Sequence, residues 1–144
     1  MTNPAKAYLM RYRAELGKVA ALEKAIADAR ERATNTTAPL KEVVIQTSGG
    51  AGQVESAVVS LVDATRQLDE MRSEAVDVMN EILRAINSVR DDVQQTILIE
   101  RYVNGRTLTE IQNVIHYERR NTQIIHGKAL WSVYQYMIEK GLTK

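Results

Sequence analysis

Hydrophobic positions recur at three- and four-residue steps over two long stretches of the chain, the spacing of one face of an α-helix. In the first stretch, residues 4–33, the stripe is Leu9, Tyr12, Leu16, Val19, Leu22 and Ile26, and Pro4 stands at the helix start, where its missing N–H costs nothing. Gly17 is a weak point inside it. The segment Thr34-Asn35-Thr36-Thr37-Ala38-Pro39 is poor in helix formers and ends in a proline, which predicts a stop near Ala33. Residues 40–46 read as a short extended piece or a helical turn. Thr47-Ser48-Gly49-Gly50-Ala51-Gly52 then reads as a flexible loop, completing a linker at 34–52.

The second stretch, residues 53–89, repeats the pattern through Val54, Val58, Leu61, Thr65, Leu68, Ala75, Met79, Ile82, Ile86 and Val89, with Arg72 the one charged break. An unbroken helix of this length is ~55 Å long and cannot bury its stripe within itself. Its expected cover is the first helix, in an antiparallel hairpin, or a second copy of the chain.

Beyond residue 90 the pattern shortens. Asp91 and Asp92 suit the first turn of a helix over 92–103, and Asn104-Gly105 is a stop signal, because Gly relieves the strain of a left-handed cap. Thr107, with Glu110 three residues later, opens a short helix in a capping-box pattern. A break near His116-Tyr117 precedes a last helix over 119–140, closed by Gly141. Ile97, Leu98 and Tyr102, then Leu108, Ile111 and Ile115, then Ile125, Ala129, Leu130 and Val133 can close one small core. The fold class is therefore all-α: a long amino-terminal helical hairpin or coiled coil at 1–89, then a tri-helical helix-turn-helix domain at 90–144.

Composition supports helix and narrows the chemistry. Only 2 Pro and no Phe occur in 144 residues, and the absence of Cys excludes a disulfide scaffold, a thiolate zinc site and a thiol nucleophile. The start lacks the apolar run of a signal peptide and no stretch reaches the length of a membrane span, so a soluble, cytoplasmic protein with no membrane partner is expected. The net charge of +1 hides an uneven distribution: +3 over residues 1–52, −5 over 53–103 and +3 over 104–144.

The leading end of the last helix carries Arg119, Arg120, Asn121 and Gln123, with His126 and Lys128 one turn on. Arg pairs with guanine or phosphate, Asn and Gln with adenine, and Lys with phosphate, and a helix N-terminus adds partial positive charge. Two arginines and a lysine also describe an ordinary solvated face. Their placement at the start of the second helix of a tight pair favours double-stranded DNA, with Arg106 and Lys128 on phosphates and Arg119, Arg120, Asn121 and Gln123 in the major groove.

Enzyme chemistry finds little footing. His116 and His126 have only Glu110 and Glu118 nearby as further metal ligands. The Gly49-Gly50-Ala51-Gly52 run lacks the Lys-Ser or Lys-Thr pair of a phosphate loop. Asp69-Glu70 and Asp91-Asp92 read as solvated faces, and Trp131, with Tyr134 and Tyr136 pointing elsewhere, as packed against the hairpin. No catalytic residue, metal or cofactor is expected.

The chain resembles the ArpU-type family of phage transcriptional regulators, whose carboxy-terminal part is similar to region four of bacterial sigma factors. The resemblance rests on Glu31-Arg32-Ala33-Thr34 with Thr36-Thr37-Ala38, Val44-Ile45-Gln46-Thr47-Ser48-Gly49-Gly50, VVSLVD at 58–63, ILIERYVNGRTLTEI at 97–111, HYERR at 116–120 and IHGKAL at 125–130. The last is the most specific, since Gly inside a helix costs ~1 kcal/mol against Ala. The chain departs from the family at Glu118, where a Ser cap is usual, at Gln112 for Ala, at His116 for Gly, and at Thr122 and Ile124. Glu118 can still accept a backbone bond, yet it places negative charge beside phosphates.

The resemblance implies a phage or prophage DNA-binding regulator acting on late-gene promoters with host RNA polymerase, in the host bacterial cytoplasm, and a homodimer through the hairpin. Two other readings stay open: a DNA-packaging component such as a small terminase subunit, and a protein-binding module that has lost DNA affinity.

Overall fold

A computed structural model describes the backbone of residues 3–44 and 48–143, and the side chains of 3–34 and 59–143. The described residues are all-helical: α1 (Pro4–Val44), α2 (Ser48–Asn87), α3 (Asp92–Leu98), a π-helical segment (Ile99–Val103), α4 (Leu108–Ile115) and α5 (Arg119–Glu139). Two compact units divide them, one joining Met1–Glu15 to Ala75–Lys144 and the other Leu16–Glu74, so the division does not follow the expected boundary near residue 90.

Both long helices outrun their expected limits. α1 continues through the segment expected to end it, past Pro39, and α2 is helical from Ser48 across the glycines read as a loop. The expectations for residues 45–47 fall outside the described residues. Local propensity is a weak prior against propagation, in which each added residue gains a hydrogen bond once a helix exists. At Thr34 the hydroxyl donates to the Arg30 carbonyl at 2.8 Å, a bond within the helix that the composition argument did not count.

In the unit of residues 16–74 the two helices pair antiparallel. Arg72 donates to Glu23 at 2.8 Å and Arg30 to Thr65 at 3.5 Å, so partners fall in number along α2 as they rise along α1. Val19, Ile26 and Leu68 are buried together, with Leu22, Leu61, Ala64 and Met71 packed around them. The stripe is thus met within the chain, and Arg72, its charged break, turns aside to Glu23 and Asp69.

In the other unit the helix-turn-helix core recruits the first turns of α1. Asn3 caps that helix, its Oδ1 accepting from the Ala5 and Lys6 amides at 2.9 and 3.3 Å. Ala5 and Leu9 are then fully buried with Ile82, Ala85, Ile86, Val89, Leu98, Tyr102, Ala129, Leu130, Val133 and Met137. Of the core expected from sequence, Ile97, Leu98, Tyr102, Ile111, Ala129, Leu130 and Val133 are buried, while Leu108, Ile115 and Ile125 are half-buried.

The expected single helix over 92–103 changes pitch. Asp91 caps α3, accepting from the Gln94 amide at 2.9 Å, and the backbone widens to π-helix at Ile99–Val103 before Asn104. Gly105 follows at φ +76°, in the left-handed region open to glycine. A Cβ there would stand 2.6 Å from the Arg13 guanidinium carbon, and that guanidinium donates to the Val103 carbonyl at 3.3 Å. Arg13 of α1 therefore covers the glycine turn and satisfies a carbonyl at the end of the preceding helix.

Candidate nucleic-acid interface

Three local devices aim the start of α5. Thr107 caps α4 in a reciprocal box: its hydroxyl accepts from the Glu110 amide at 3.2 Å and the Glu110 carboxylate accepts from the Thr107 amide at 3.3 Å. α4 ends at His116, the one described non-glycine residue at positive φ (59°), and Tyr117 and Glu118 complete the turn into α5. The usual glycine of this turn is thus replaced by a residue bearing the steric cost of the same backbone shape.

The third device is Thr122, the one polar side chain buried among the described residues. Its amide and hydroxyl both donate to the Glu118 carbonyl, at 2.9 and 3.0 Å. The hydroxyl is therefore satisfied locally, which is how a threonine fills a position suited to an apolar residue. With Thr122 turned inward, Arg119, Arg120, Asn121 and Gln123 are all exposed. None of the four side chains has an ion pair or hydrogen bond among the described residues, and neither does that of Lys128, also exposed.

The other two expected contacts are placed differently. Arg106 forms an ion pair through Nε with the largely buried Glu100, and its carbonyl accepts from Arg101 at 3.1 Å. His126 turns inward: its Nε2 lies 2.8 Å from the Tyr102 hydroxyl and the rings stack at 5.7 Å. Burial, then the charges of Arg101 and Lys6, push the His126 pKa down to about 4, so the ring is neutral at pH 7. Burial also pushes the Tyr102 pKa up to about 12, so the phenol keeps its proton beside the neutral imidazole.

Two expectations are corrected. The Glu118 side chain makes no capping bond at α5; its carboxylate sits one methylene further from the backbone than the polar groups of the Asp and Asn side chains that cap well. Trp131 is 62% exposed and not packed into the hairpin, and it shares its face with Tyr134, the rings 5.8 Å apart. Helical periodicity puts residue 131 opposite the buried face of Ala129 and Val133.

Sequence reasoning did not find Lys6, whose charge reaches His126 from the first turn of α1. No local pattern links positions so far apart in the chain. Among the described residues no cluster of His, Cys, Asp or Glu could hold a metal ion, and no helix is long and apolar enough to cross a membrane.

No family model, curated protein or solved structure matches the chain.

Proposed function

We propose that the chain is a sequence-specific double-stranded DNA-binding protein and a transcription regulator of the ArpU-like phage type, acting with host RNA polymerase. The observation that carries the reading is the leading turn of α5: Arg119, Arg120, Asn121 and Gln123 stand together, uncovered, without internal carboxylate partners, directly after a tight turn from α4. Buried salt bridges would have consumed the same cations, and a solvated face has no need of the amides beside them.

In this reading Arg119, Arg120, Asn121 and Gln123 meet base edges in the major groove while Lys128 holds a phosphate. Arg106 reaches a phosphate only by leaving Glu100, so its contribution is smaller than that of an uncommitted arginine. His126 acts from behind, through Tyr102, as a positioning residue for the middle of α5. The helical hairpin presents a surface to the polymerase and, because Val19, Ile26 and Leu68 are already covered within the chain, needs no second copy to bury that stripe. The protein binds and recruits and carries out no catalysis.

Titration of a fluorescent duplex pool at rising salt tests this. Affinity should fall steeply, with a log–log slope that becomes shallower by about one for each phosphate contact removed, and Arg119→Ala should cost ~1–3 kcal/mol if it reads a base. Binding that is absent, or indifferent to salt, overturns the assignment.

A further inference from the structure

Gly127 stands in the middle of α5, where glycine is the poorest helix former after proline, and nothing inside the chain requires it there. A Cβ at this position would meet nothing within 4 Å, and the backbone is not in the left-handed region. A side chain left out for no internal reason makes room for something outside. Openness alone does not mark a site, since Gly17 in the other unit has it too. The surroundings of Gly127 are what set it apart. It lies seven residues, about two turns, beyond Arg120 along one line of α5. There it lines a cleft of about 260 Å³ with Leu130, Trp131 and Tyr134, and the other wall is Asn3 and Pro4 at the start of α1. Lys6 belongs to the same turn of α1, exposed and without an ion partner among the described residues. It is near enough for its charge to act on His126, the residue next to Gly127, and the other charge acting there, Arg101, is also a cation.

We propose, on the DNA-binding reading above, that the sugar-phosphate backbone of the duplex crosses α5 at Gly127 and sets a phosphate at the cleft, where Lys6 pairs with it. The carboxylates of the neighbourhood face elsewhere. No Asp or Glu lines the cleft; Asp91 and Glu139 line a separate one on the other side of Trp131. Glu118 lies nine residues from Gly127, which puts it on the opposite side of the helix. Lys140, at the far end of α5, lies over the Tyr136 ring. The end of α1 itself adds little, because Asn3 Oδ1 already accepts from the Ala5 and Lys6 amides. Lys128 projects about 100° round α5 from Gly127, so the two lysines hold different phosphates. The first turn of α1 is thereby part of the interface, and the bare backbone at 127 is what lets the phosphate come close.

Fluorescence anisotropy of a duplex pool at rising salt reads both residues. Lys6→Ala should make the log–log salt slope shallower by about one and weaken binding roughly threefold to tenfold, and Lys6→Arg, which keeps the charge, should restore both. At position 127 stability and affinity should move in opposite directions. Gly127→Ala and Gly127→Leu should melt above the native chain, as better helix formers at an exposed position, yet bind duplex progressively more weakly, by roughly threefold to tenfold for Leu. Gly17→Ala should also melt higher but bind as the native chain does. A native chain that binds no duplex overturns the DNA assignment and this contact with it. A native chain that binds, while Lys6→Ala keeps the full salt slope or Gly127→Leu binds undiminished, overturns the contact alone.

Discussion

Acid should loosen the helix-turn-helix unit through one side chain, His126. Its imidazole is hydrogen-bonded to the buried Tyr102 hydroxyl and has its pKa pushed from 6.5 to about 4, by burial first and then by Arg101 and Lys6. A group held below its unfolded pKa as a base binds its proton sooner in the unfolded chain. Stability from this residue is therefore intact above pH 6.5, falls as pH drops towards 4, and levels off below that. The full shift corresponds to ~3.4 kcal/mol at 1.36 kcal/mol per pH unit. His126 is only partly buried, and halving the figure for solvent screening leaves about 1.7 kcal/mol in all, of which about 1 kcal/mol is lost by pH 5.

Trp131 is the sole tryptophan and belongs to this unit, so its fluorescence reports the relevant unfolding. Urea midpoints from pH 7.5 to 4.5 (assay settings, about three units) should drop further for the native chain than for His126→Gln, which keeps an acceptor and does not titrate. Carboxylates and His116 are common to both proteins and cancel in the difference. Parallel profiles for the two proteins would show that His126 is not held neutral, and the reasoning from its burial would be wrong.

Four further changes follow, three of them in the turns that flank α4. Gly105→Ala should destabilise by ~2 kcal/mol in urea melts, from the left-handed backbone and the displaced Arg13 guanidinium, whereas Gly17→Ala, with open space around it, should stabilise by ~1 kcal/mol. Thr107→Ala removes one half of the capping box and should cost ~1 kcal/mol, with faster amide exchange confined to the first turn of α4. His116→Gly relieves a left-handed non-glycine residue and should raise stability by ~0.5–1 kcal/mol; a loss there would mean that the imidazole makes a compensating contact.

Much of this was legible because it is local. The capping box at Thr107 and Glu110, the glycine turn at Gly105 and the break at His116 each depend on residues within four positions, and the structure has all three. The stripes of α1 and α2 were legible for the same reason. What the periodicity did not reveal was which surface covers which. Ala5 and Leu9 are buried in the helix-turn-helix core, so the first turns of α1 serve a unit whose other members begin at Ala75. His126 and Trp131 were each assigned to the wrong side of α5 because that helix has apolar residues on both faces. A stripe shows where water is unfavourable; it does not show which of two stripes finds a partner first.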